Sequence, residues 1–127
     1  MKAKPQLGMP SYSAGWGPAV NFTDRAQVDQ MGQRTSVPFG NYEDVLVIAE
    51  GSQKELNAFQ LKYYVRSVGK VRVGWSGADA TKETLELVDR VQLSQEALAQ
   101  IRAAALELEK HAYEISKDVY GRTPPAE

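Results

Sequence analysis

A change of hydrophobic period at Ser94 constrains this chain more than any other feature. Before it, apolar residues recur at every second position; after it, they recur every three or four. Period two belongs to strands and the alternation of three and four to an amphipathic helix, so the chain cannot be all-α or all-β. Downstream the stripe runs Leu98, Ile101, Ala105, Leu108, Ala112, Ile115 and Val119. Ser94 suits the N-cap, Gly121 ends the pattern, and Pro124-Pro125 forbid its continuation. The spacing predicts a helix over 94–120, about 40 Å long.

Upstream, Met31, Gln33, Thr35, Val37 and Phe39 share one face of a half-polar edge strand closed by Pro38. Tyr42–Ala49 is nearly continuous and β-branched, which predicts a central strand covered on both faces. Phe59, Leu61, Tyr63 and Val65 then alternate with polar residues, as do Val71, Val73 and Trp75, and Thr84–Val91 predicts a last strand. Short connections make this an antiparallel meander of 4–6 strands. The expected fold is therefore α+β: a single domain over 1–127, with an irregular arm at 1–25, a curved sheet at 27–92, the helix and a 121–127 tail. Gly and Pro punctuate the arm, where Tyr12, Trp16 and Phe22 are candidate anchors and Ala19–Phe22 a short extended piece.

Composition narrows the function classes. The 15 basic residues are scattered among 16 acidic ones, whereas a polyanion partner needs them clustered, so no nucleic acid is expected. No apolar run reaches the roughly 18–20 residues of a transmembrane segment, and the N-terminus has no apolar stretch of a secretory signal. Cysteine is absent and histidine occurs once, at His111, which removes most metal geometries; no metal and no cofactor are expected. His111 sits beside the stripe with no nucleophile or orienting carboxylate near it in sequence, so no catalytic residue is assigned. Glu43, Asp44, Glu50 and Glu55 are the pool from which a buried carboxylate pair would come.

Two apolar surfaces remain. On typical strands of about 17–20 Å, the predicted helix would overhang its sheet. The stripe Leu98, Ile101, Ala105, Leu108, Ala112, Ile115 and Val119 is then either a packing face for the domain's own sheet or the interface of a homo-oligomer. Tyr42, Phe59, Tyr63 and Trp75 would cluster on adjacent strands, either as core or as a cradle for a hydrophobic small molecule.

Val37-Pro38-Phe39-Gly40, Tyr42, Asp44-Val45-Leu46-Val47, Lys62-Tyr63-Tyr64, Val68-Gly69, Val71 and Thr84-Leu85-Glu86-Leu87-Val88 together carry a resemblance. The chain resembles the C-terminal part of a group of uncharacterised, usually secreted bacterial β-rich proteins, and more distantly the half-barrels of lipoprotein carriers. The resemblance implies an extracytoplasmic setting and no catalytic residue. Members of the group carry further strands ahead of the stretch matching Met1, so an open sheet edge completed by another copy or another chain is expected. The leading expectation is a non-enzymatic structural or interaction module that self-associates through its sheet edge and long helix. The alternatives are a small carrier of an apolar ligand or lipid, and a half-barrel enzyme using buried carboxylates.

Overall fold

The computed structural model describes residues 2–15, 17, 20–121 and 124–125. They fall into two compact units, one spanning 1–17 and 22–90 and the other 18–21 and 91–127. Trp16 and Ala19 lie outside the described residues. Val20 and Asn21 do not extend as expected: Asn21 adopts φ 53°, and Phe22 N–H donates to Gly17 O at 3.0 Å to close a tight turn.

The first unit is a curved, open, six-stranded antiparallel sheet in sequence order: β1 (Tyr12–Ser13), β2 (Arg25–Val37), β3 (Gly40–Gly51), β4 (Ala58–Val65), β5 (Gly69–Gly77) and β6 (Leu85–Glu86). The α+β meander read from the periodicity is the fold observed. β3 is central and buried on both faces. Val47 pairs with Tyr63 on one face and Ile48 with Lys62 on the other, and Val45, Val47 and Ile48 are almost fully buried. Val71, Val73, Ala26 and Ala49 complete the core.

Curvature comes from irregular pairing. The β2–β3 ladder shifts register at Val28/Gln30, Gln30/Gln33 and Gln33/Thr35, with Gly32 and Asp44 at positive φ. Each shift adds local twist and bends the strand. The tip of this hairpin reaches the far side of the sheet, where Phe39 N–H donates to Leu87 O at 3.0 Å while Leu87 N–H donates to Val71 O at 2.9 Å. β6 is much shorter than the expected Thr84–Val91 strand. Its ladder with β5 runs Val73↔Leu85 and Arg72↔Glu86 and stops where β5 bulges at Val71, leaving Val88 and Val91 exposed.

In the second unit, α1 (Gln95–Ile115) starts as expected: the Ser94 side chain accepts from Ala97 N–H at 3.1 Å. It ends earlier than expected. Ser116 leaves the helical region at φ −125°, ψ 52°, and a separate turn, α2 (Lys117–Tyr120), follows. Serine competes for backbone hydrogen bonds and tolerates such a break, and the Tyr113 and Tyr120 rings brace it edge to face at 5.5 Å. At 21 residues α1 is about 30 Å long, whereas β2 and β3, of 13 and 12 residues, reach about 40 Å. The expected mismatch between a long helix and short strands is therefore absent.

Candidate functional site

Pairing register decides which side chains share a surface. In β4–β5, Val65 pairs with Gly69 and Tyr64 with Lys70, but Tyr63 then pairs with Arg72, Leu61 with Gly74, Phe59 with Ser76 and Gln60 with Trp75. Val71 is the extra residue at the shift between Tyr63 and Tyr64. A one-residue shift inverts the faces of everything beyond it. Without it Phe59 would pair with Trp75 and the aromatic cluster would form. With it Trp75 lies on the face opposite Phe59 and Tyr63. Tyr42 pairs with Thr35, at the end of the sheet away from Phe59, which sits beside the loop at Gly51. The proposed cradle of Tyr42, Phe59, Tyr63 and Trp75 is thus not assembled as one cluster.

In exchange, the bulge brings Arg72 onto the Tyr63 face. A transverse row runs Gln30, Val47, Tyr63, Arg72 and Glu86 across β2 to β6. The Arg72 guanidinium lies 5.4 Å from the Tyr63 ring centroid, and its Nε is 3.7 Å from Glu86 Oε1. A cavity of about 360 Å³ opens here, walled by Gln30, Gln33, Thr35, Tyr63 and Arg72. Its polar lining went unread because the alternation alone sends Arg72 to the opposite face from Tyr63.

The Trp75 face carries a second row: Tyr12, Ala26, Glu50, Gln60 and Trp75. Lys62 Nζ bonds Glu50 Oε2, Gln60 donates to Glu83 at 2.5 Å, and Lys82 Nζ stands 4.9 Å from the Trp75 ring. The arm is tied to the sheet by Arg25, which donates from Nε to Ser11 Oγ at 2.9 Å. Arm residues Lys2, Ala3 and Pro5 close a cavity of about 540 Å³ over Leu46 and Tyr64. Burial pushes the Tyr12 and Tyr64 hydroxyls above their ordinary pKa of 10.0, and the Glu50 carboxylate adds to the shift in both.

Because the folded state holds those protons more tightly than the unfolded chain, it binds more protons above pH 10, and stability falls as pH rises further. Absorbance at 295 nm should show Tyr12 and Tyr64 ionising above the ordinary tyrosine pKa, and Tyr64→Phe should remove part of that late phase. A single phase at the ordinary tyrosine pKa would contradict the burial described.

The carboxylate pool is dispersed. Glu43 meets Arg34 at 3.1 Å on the surface, Glu50 is paired with Lys62, and Asp44 and Glu55 are exposed, Asp44 on a strand and Glu55 in the loop after β3. His111 Nδ1 lies 3.7 Å from Glu114 on the exposed helix surface. Among the described residues no group of three or more His, Asp or Glu side chains could hold a metal ion, and no helix is long and apolar enough to cross a membrane.

The helical stripe belongs to the second unit. Leu98, Ile101, Leu108 and Ile115 are 58%, 53%, 71% and 68% exposed, Ala105 is exposed, Ala112 and Val119 are half-buried, and no residue of α1 is buried. A stripe of that kind is unusual on a chain that acts alone. The chain matches no protein-family model, no curated protein and no solved structure.

Proposed function

We propose that this chain is a non-enzymatic interaction module that self-associates through α1, which lies antiparallel against the same helix of a second copy. The extracytoplasmic setting implied by the resemblance accompanies this reading. The observation that carries it is the exposure of Leu98, Ile101, Leu108 and Ile115 on a helix with no buried residue. Burying each large side chain is worth about 1.5–3 kcal/mol.

The spacing favours a helical partner. Gaps of strictly three and four give a period of 3.5, which keeps a seam facing another helix, whereas a face packed on a sheet needs no such constancy. A second copy supplies that period by itself. Orientation follows from side-chain size. In a parallel pair Ala105 would meet Ala105 and Ala112 would meet Ala112, leaving two hollow layers. Run antiparallel about the midpoint of Ala105–Leu108, the layers become Leu98 with Ile115, Ile101 with Ala112, and Ala105 with Leu108, each then repeated by the two-fold axis. Large then meets small in the central layers, which packs without voids.

Charge supports the same orientation. The antiparallel register sets Arg102 opposite Glu109 of the second copy, twice by symmetry, and Ala104 opposite His111. A parallel register brings no opposite charges together at these flanks. The outer edge of β2 is the weaker surface: beyond Ala26 it has no strand partner among the described residues, yet its three register shifts are the kind of irregularity that blunts an edge against pairing. The helix therefore carries the contact.

Sedimentation equilibrium at tens of micromolar should give twice the 14.0 kDa chain mass. A mass of one chain at every concentration would remove the reading.

A further inference from the structure

Two buried side-chain polar atoms lack a hydrogen-bond partner among the described residues: Thr35 Oγ1 and Arg72 Nε. Both belong to the wall of the same 360 Å³ cavity on the Tyr63 face. A buried polar atom left unpaired costs about 1–3 kcal/mol, so two of them converging on one hollow call for a common explanation. Thr35 is only 6% exposed. Glu86 approaches Arg72 Nε to 3.7 Å, which is attraction without a hydrogen bond.

We infer that this cavity is a binding site for a small monocarboxylate, held by the Arg72 guanidinium and the Thr35 hydroxyl. Arginine presents paired N–H donors whose spacing matches the two oxygens of a carboxylate. Nε–H and one Nη–H take the carboxylate in that fashion while the guanidinium stays over the Tyr63 ring, whose face stabilises the cation. Thr35 donates its hydroxyl hydrogen to the same group. Gln30 and Gln33 complete the wall; each carboxamide has one N–H engaged locally, with Asp29 Oδ2 and Met31 O, and a second N–H to offer.

The little positive charge left uncompensated at the wall favours a monoanion over a dianion. Arg72 is already offset in part by Glu86, and Arg34, the other arginine of the wall, is paired with Glu43 at 3.1 Å. A dianion such as hydrogen phosphate would bring a second negative charge with nothing left to balance it, and desolvating that charge is costly.

The test is a titration of the isotopically labelled chain with acetate, butyrate and inorganic phosphate at constant ionic strength, read by NMR at the Arg72 side-chain Nε–H and the Thr35 amide. The expected result is saturable shifts confined to this face with the two carboxylates, and phosphate far weaker. Thr35→Val, which replaces the hydroxyl by a methyl of the same shape, should weaken butyrate by about tenfold. It should leave the unfolding midpoint unchanged or higher, since it also removes the unpaired group. Arg72→Gln should abolish the shifts. Absence of saturation with either carboxylate, or shifts of equal size with phosphate that survive Thr35→Val, would overturn the proposal.

Discussion

If the proposed self-association holds, Leu108→Glu is expected to leave the protein a monomer. Leu108 is 71% exposed on α1, and in the proposed antiparallel pair it stands in the central layers, opposite Ala105. Its loss forfeits about 1.5–3 kcal/mol of burial per side chain, and the dimer loses two of them. A carboxylate in each of those layers adds desolvation on top. The total is on the order of 3–6 kcal/mol, which is roughly a hundred- to ten-thousand-fold in dissociation constant. Sedimentation should show one chain mass where the parent shows two. Lys110→Glu serves as control, because Lys110 pairs with Glu107 at 2.5 Å away from the stripe and should leave the mass unchanged. Equal masses for parent and Leu108→Glu would locate the contact elsewhere.

Gly77→Ala should have the largest effect on the sheet. Gly77 ends β5 at φ 67°, and a Cβ there would lie 2.0 Å from Asn57 O. That oxygen already accepts Ala78 N–H at 2.7 Å, so it cannot retreat without breaking a bond that fixes the β3–β4 loop to the end of β5. A left-handed conformation costs an alanine about 1–2 kcal/mol, and the lost hydrogen bond about 0.5–1.5 more. The sum, roughly 1.5–3.5 kcal/mol, is a large share of the about 5–15 kcal/mol that holds a typical domain. Gly69→Ala is the comparison: Gly69 has φ 106° but open space around it, so only the backbone cost applies. Urea unfolding followed by tryptophan fluorescence should therefore rank Gly77→Ala well below Gly69→Ala in midpoint. Equal midpoints would mean that the loop yields freely.

How much of this is legible in the sequence depends on whether a feature leaves a chemical signature. The change from strand to helix at Ser94 does, because the cap and both periods are written in residue types. So does the doubly covered β3, where a continuous apolar run has only one economical position in a sheet. The β5 bulge does not. Val71 sits in a strand whose alternation of Lys70, Val71, Arg72 and Val73 is unbroken, and a bulge of this kind needs no glycine to announce it. That one residue inverts the remainder of β5, so Trp75 leaves the face of Phe59 and Tyr63 while Arg72 joins it. The aromatic cradle read from sequence dissolves, and a polar cavity that no periodicity reveals takes its place. Helix length is a smaller instance: the stripe continues through Val119, but the backbone leaves the helical region at Ser116.

The lengths also change the ground on which assembly is argued. A helix of about 30 Å is shorter than strands of about 40 Å, so length alone gives no reason for overhang. The proposed assembly rests on the exposure of the large side chains of the stripe, on its constant period, and on the pairing of large with small residues that one orientation permits.

The absence of cysteine makes the orientation directly measurable. Leu98→Cys and Ile115→Cys, prepared separately and then mixed under mild oxidation, should form a disulfide between the two variants, because the antiparallel register places these positions in one layer. Each variant alone should stay largely reduced. Rapid self-linking of Leu98→Cys alone would show the helices to be parallel, and no linkage in any sample would show that they do not meet.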